Sequence, residues 1–324
     1  MSKKILLIGG GGFIGHHLAQ QLSFNNEIFI VDNFVVNNFL HHLFEDRYRD
    51  FILERIKILN QCCSKIYRDD ARDYHKISLD VTDCKPDIII HLAAVAHANI
   101  SNKDPFLTFD HSLTTLENSL DIARSVGVEK FIYFSSSMVY GDFKTDTAYE
   151  DDSLSPKGIY GNLKLCGELM VKSYHEVFDL PYIIIRPSAL YGPRCVSRRV
   201  IQVFIENIMD GKDITIAGDG QEKIDFTYID DLVQGIRLII DSELKNQTFN
   251  LTYGTGRSIN DVIEILHKHF LNINVKYEKR DKLVPFRGSL SINSLKQKLG
   301  YKSEYPIEKG IEEYVRWYGD RWNC

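Results

Sequence analysis

The sequence predicts an α/β protein: a Rossmann-type doubly wound parallel sheet with a smaller C-terminal substrate-binding domain. Two observations predict it. Short apolar runs alternate with helical patterns through the first 187 residues, as strands buried on both faces and joined by crossover helices must. The first run also ends in a glycine cluster that opens a helix pattern.

Lys4-Ile5-Leu6-Leu7-Ile8 suits a buried parallel strand, after which Phe13, Ile14, Leu18 and Leu22 share one helix face. Glu27-Ile28-Phe29-Ile30-Val31, closed by Asp32, is the second strand. Residues 33–65 break the rhythm. They are rich in aromatic, charged and histidine residues and read as a helical insertion, either a cover for a ligand or partner or simply a packed surface helix pair. Residues 87–91, 130–134 and 182–185 read as further strands, with helices over 105–125 and 158–178. After Pro193 a helix pattern at 199–209 and a Gly218-Asp219-Gly220 turn lead into an amphipathic C-terminal half. Residues 1–187 are therefore assigned to a nucleotide-binding domain whose sheet is re-entered near 226–251, and 188–324 mainly to the substrate domain.

Composition narrows the function. Among 324 residues, 39 basic and 44 acidic side chains give a net charge of -5, without the basic footprint of a nucleic-acid binder. A phosphate-bearing ligand must be held by local groups. No run approaches the ~20 apolar residues of a membrane span, and Met1-Ser2-Lys3-Lys4 leads straight into a strand, so a soluble cytoplasmic protein is expected. The six cysteines show no Cys-x-x-Cys spacing, which predicts reduced thiols and neither disulfides nor a metal site.

Gly9-Gly10-Gly11-Gly12-Phe13-Ile14-Gly15 fits Gly-x-x-Gly-x-x-Gly between strand and helix, where a backbone can approach a pyrophosphate and a helix N-terminus faces it. Asp32, followed by Asn33, can accept both ribose hydroxyls and repel a 2′-phosphate, favouring NAD over NADP. Asp70 and Ala71 are placed at the adenine edge. Leu92, Ala93 and Ala94 are small enough to let the cofactor cross the strand tips, while His91 reads as a core histidine. Further on, Tyr160 and Lys164 stand four apart, on one face if helical, and a cation there favours the phenolate.

These motifs, with Ser135-Ser136-Ser137-Met138-Val139-Tyr140-Gly141, Arg186-Pro187-x-x-x-Tyr191-Gly192-Pro193 and Asp225-Phe226-Thr227-Tyr228-Ile229-Asp230-Asp231, resemble the extended short-chain dehydrogenase/reductase family, in particular its NAD-dependent nucleotide-sugar epimerase/dehydratase group. The resemblance implies that Tyr160 is the base, that Lys164 lowers its pKa and binds the nicotinamide ribose, and that Ser136 holds the reacting hydroxyl. It implies a nucleoside-diphosphate sugar as substrate, a place in polysaccharide biosynthesis, and a homodimer formed by a four-helix bundle of the helices at 105–125 and 158–178.

Within the group, 4,6-dehydratases carry an Asp-Glu pair where Ser137 and Met138 stand, and decarboxylating members carry glutamate at Met138. A thioether is no general acid or base. The expected reaction is therefore 4-epimerisation through a transient 4-keto sugar. The alternatives are a 4-dehydrogenase or 4-keto-reductase, then a dehydratase or decarboxylase, and outside enzymes a non-catalytic NAD-binding protein. Ala189 and Ile224 replace an asparagine and an arginine that often contact the substrate diphosphate. Among Arg194, Arg198, Arg199 and Arg287, Arg199 and Arg287 are expected to compensate. His97 and Asn99 are expected to line the sugar pocket.

Overall fold

The computed structural model describes residues 2–35, 46–95 and 98–322. Its centre is a wholly parallel sheet of β1 (Lys4–Ile8), β2 (Glu27–Val31), β3 (Lys65–Tyr67), β4 (Ile88–His91), β5 (Lys130–Phe134), β6 (Tyr182–Arg186) and β7 (Gln247–Asn250). The spatial order is β7-β6-β5-β4-β1-β2-β3. Along the strands, Ile5, Leu7, Ile28, Ile30, Ile88 and Ile90 face one core, and Leu6, Ile8, Phe29, Val31 and Ile89 face the other. With both faces covered, every position must be apolar, which is why the runs show no alternation. Each fully buried isoleucine contributes about 1.5–3 kcal/mol.

Among the described residues the longer helices are α1 (Phe13–Leu22), α2 (Asp46–Cys62), α3 (Tyr74–Cys84), α4 (Thr115–Val126), α5 (Gly158–Phe178), α6 (Val200–Met209), α7 (Ile229–Asp241) and α8 (Ile307–Trp322). β1 pairs with β2 on one side and β4 on the other, both in parallel. The chain thus leaves β1 in one direction and returns on its opposite flank. The helices that follow β1 and β4 pack on opposite faces of the sheet, leaving a crevice at the carboxyl ends of the strands, where ligands of such sheets bind.

Two elements differ from expectation. The helix over 105–125 is broken into Pro105–Phe109, a π-helical turn Asp110–Thr114, and α4. Thr115 Oγ1 donates to the carbonyl of His111 at 2.9 Å and Ser119 Oγ to that of Thr115 at 2.6 Å. Hydroxyls competing for helix carbonyls bend and widen the turn, and such turns gather at functional sites. In the 33–65 stretch, residues 36–45 lie outside those described, and the rest is no surface helix pair. Residue 65 already begins β3, and α2 is wedged between α1 and α8. Tyr48, Phe51, Ile52 and Leu59 recur at helical period and are buried, with the Phe51 ring 4.8 Å from that of Trp317. Among the described residues, no helix is long and apolar enough to cross a membrane.

Candidate active site

The crevice is shaped first by glycine. Gly9 has φ of +81°, and a Cβ there would lie 2.6 Å from the backbone nitrogen of Ala93, so the loops after β1 and β4 touch only because the side chain is absent. A Cβ on Gly15 would fall 2.3 Å from the carbonyl oxygen of Gly10, which makes that glycine the condition for α1 to close on β1. Gly12 is the N-cap of α1, with no side-chain cap and no acid in the first turn, so free N–H groups and the positive dipole end face the crevice.

Gly9, Gly12, Phe13, Ile14, Gly15, Asp32, Asn33, Asp70, Ala71, Leu92, Ala93 and Ala94 all line one cleft. Asp32 accepts the N–H of Gly11 and of Phe34, each at 2.7 Å, through its two oxygens. Burial raises its pKa while these two bonds lower it, and the remaining lone pairs are free for ribose hydroxyls. The Asp70 carboxylate is differently engaged. It takes Arg72 through Nη2 at 2.6 Å and Nε at 3.0 Å, and Asn33 at 2.9 Å. Hydrogen bonding by Arg72 holds it down at about 2. The donors and glycine contacts of the cleft fit a dinucleotide with an unphosphorylated ribose.

The cleft runs into a cavity of about 410 Å³ lined by Ser136, Ser137, Met138, Tyr160, Lys164, Ala189, Arg199, Ile224 and Arg287, among others. Ser136 and Ser137 come off the end of β5, where the chain enters the short helix Ser137–Tyr140, while Tyr160 and Lys164 lie on one face of α5. Burial is the largest influence on Tyr160 and raises its pKa; the Arg199 cation and the Ser136 hydroxyl lower it. Lys164 acts elsewhere in this state. Its Nζ donates to the Phe134 carbonyl at 2.7 Å and sits 5.1 Å from the Tyr133 ring centroid, and burial pushes it down to about 8.

Behind the cavity, Glu168 accepts Ser135 Oγ at 2.5 Å and Arg186 through Nε and Nη2 at 2.8 and 2.7 Å, all buried. This pair ties α5 to β5 and β6 and fixes the platform from which Tyr160 projects. Arg194 turns away from the cavity to Glu54 and His16. Arg287 does not: it lines the cavity, and its Nε is buried without a partner among the described residues. His97 and the side chain of Asn99 lie outside the described residues. Sequence reasoning missed Arg55, His111, Val196 and Ser197, which also line the cleft. For Arg55 a signal existed: it is the one charged residue in the buried stripe Tyr48, Phe51, Ile52, Leu59 of α2.

A glycine-shaped dinucleotide cleft opening onto a Ser/Tyr/Lys cavity defines the class of pyridine-nucleotide-dependent α/β proteins. The model of the NAD dependent epimerase/dehydratase family matches residues 5–252, and the chain belongs to that family, within the extended short-chain dehydrogenase/reductase group. The chain is 30% identical to an uncharacterized protein of Methanocaldococcus jannaschii, over 98% of this chain and 96% of that one. It is 27% identical to a putative UDP-glucose 4-epimerase of the same organism, over 97% of each. Among solved structures it is similar to the UDP-glucuronic acid 4-epimerase from Bacillus cereus in complex with UDP-glucuronic acid and NAD, with a TM-score of 0.89, 27% identity, and 98% and 100% of the two chains covered.

Proposed function

We propose that this chain is an NAD-dependent nucleotide-sugar 4-epimerase working through a transient 4-keto sugar. The observation that supports it most directly is the charge of the substrate cavity. Its described lining contains Lys164, Arg198, Arg199 and Arg287 and no carboxylate or histidine. Cations suit a nucleoside diphosphate, and elimination of water or CO₂ is left without a carboxylate to assist it beside Met138.

Bound NAD supplies the hydride acceptor and returns the hydride. The chain's own residues do the rest. Ser136 donates to the C4 oxygen and holds it against Tyr160. Tyr160 takes the hydroxyl proton at its phenol oxygen as the carbinol is oxidised and gives it back on reduction. Lys164 binds the nicotinamide ribose. Arg199 and Arg287 hold the diphosphate where Ala189 and Ile224 leave it unheld, with His97, Asn99, Ser137 and Met138 around the sugar. Residues 1–187 serve mainly the cofactor and 188–324 mainly the substrate.

We infer a homodimer through α4 and α5, supported by Phe106, Phe109, Leu169 and Val177, exposed by 53–83% along these helices and the turn before them. Light scattering at micromolar concentration tests it, with a monomer as the contrary result. A cytoplasmic enzyme of polysaccharide biosynthesis fits the same reading and is checked by cell fractionation.

The test of the reaction is incubation with UDP-, GDP- and dTDP-sugars without added cofactor, read by NMR. A C4 epimer without net NADH is expected. Stoichiometric NADH with no epimer would instead make the protein a 4-dehydrogenase.

A further inference from the structure

Among the described residues, Arg55 is a buried cation without an ion-pair partner. Its side chain projects from α2 and is 3% exposed. Nε donates to the carbonyl oxygen of Arg194 at 2.9 Å, and Nη2 donates to the same oxygen. Nη1 makes no hydrogen bond and the guanidinium no ion pair among the described residues. Its charged neighbours do not compensate it. Arg194 carries the same sign, and His16 and His17 are held neutral, first by burial. Burial, the largest influence, pushes the Arg55 guanidinium down to about 10, and the attraction of Asp32 comes after it.

Burying a guanidinium without a counter-ion is costly, and two bonds to one carbonyl oxygen offset only part of that. The position of the group says where an anion would come from. Arg55 lines the cofactor cleft together with Gly12, Phe13, Asp32 and Ser197. Gly12 and Phe13 form the uncapped, acid-free start of α1, whose N–H groups and dipole aim at the same space. The start of α1 and the guanidinium thus line the same cleft, and both favour an anion there.

We propose that Arg55 binds the diphosphate of the dinucleotide, so that α2 contributes a residue to the cofactor site. This rests on the dinucleotide reading of the cleft and adds a binding residue to it. The stripe of α2 explains the placement. Tyr48, Phe51, Ile52 and Leu59 anchor the helix against α1 and α8, and Arg55, on the same face, is carried inward with them. The fork on the Arg194 carbonyl orients the guanidinium and leaves Nη1 for phosphate oxygens.

The experiment uses the full-length protein stripped of nucleotide, as wild type, Arg55→Gln and Arg55→Lys, titrated calorimetrically with NAD, NADP, ADP and adenosine. Arg55→Gln is expected to weaken NAD and ADP about ten- to a hundredfold while leaving adenosine unchanged, with Arg55→Lys recovering part of the loss. Adenosine also reports that the cleft is folded. Equal losses of ADP and adenosine overturn the proposal, because Arg55 then acts on the shape of the cleft. Unchanged NAD and ADP overturn it too, as does a loss confined to NADP, which would place the group at a ribose 2′-phosphate. No titration contains a sugar nucleotide, so failure here leaves the epimerase reading standing, and the converse also holds.

Discussion

Lys164 donates its ammonium to the main-chain carbonyl of Phe134, and the cation that acts on the Tyr160 phenol is Arg199. Because burial raises the Tyr160 pKa, the phenol is protonated at neutral pH in the cofactor-free protein. A base works deprotonated, so the rate must fall as pH drops through the Tyr160 pKa. Removing a cation raises that pKa. Arg199→Gln should therefore move the acid limb of the kcat profile to higher pH, whereas Tyr160→Phe should lower kcat about 10²–10⁴-fold with NAD retained. Epimerisation followed from pH 5 to 10 at saturating substrate checks both.

Arg287 presents a buried, unpartnered Nε at the substrate cavity. Arg287→Ala should raise KM for the sugar nucleotide about tenfold or more, since a charge-assisted bond to phosphate is worth about 1.5–3 kcal/mol. NAD content, measured after denaturation, should match wild type. An unchanged KM would remove Arg287 from the diphosphate site.

Gly15→Ala places a methyl group 2.3 Å from the Gly10 carbonyl, with backbone on both sides of the conflict. α1 must then shift off β1. A loss of about 1–3 kcal/mol in urea unfolding and protein purified without NAD are expected.

Asp225 is fully buried, and burial pushes it up to about 7 although Leu290 N–H, Thr252 Oγ1 and Gly254 N–H all donate to it. A carboxyl whose folded pKa exceeds its unfolded value contributes stability that is full below the unfolded value, near 4, and is lost as pH rises through about 7. Between these limits wild type should lose on the order of 2–4 kcal/mol that Asp225→Asn does not lose. Denaturant midpoints at pH 4.5 and 7.5 for both proteins give the comparison, and parallel slopes would refute it.

What could be read from the sequence followed from local constraint. Lys4 to Ile8, the glycines and the face from Phe13 to Leu22 state a strand, a close approach and a helix within one short stretch, each by a rule of near neighbours. Tyr160 and Lys164 are legible for the same reason. Strand order is not, because nothing local to Ile8 says that β4 will pair beside it. Nor is Arg55, whose meaning depends on α2 being packed between α1 and α8, or the break before Thr115, which arises from a hydroxyl's choice of carbonyl. The electrostatic partner of Tyr160 was hidden too: a spacing of four brings Lys164 to its face of α5, but only packing decides that the ammonium turns to Phe134.

The edge strand β7 has a consequence for how the chain is made. It pairs with β6 along Ile183 to Arg186 yet follows it only after α6 and α7 have been synthesised. Until Asn250 has cleared the ribosome, the nascent sheet carries an unpaired, apolar border at Ile183, Ile184 and Ile185, open to strand addition by any neighbour. A fragment ending at residue 187 would keep that border permanently. The two halves are thus interlocked in time as well as in space, and the cofactor-binding half reaches its final form only when much of the other half already exists.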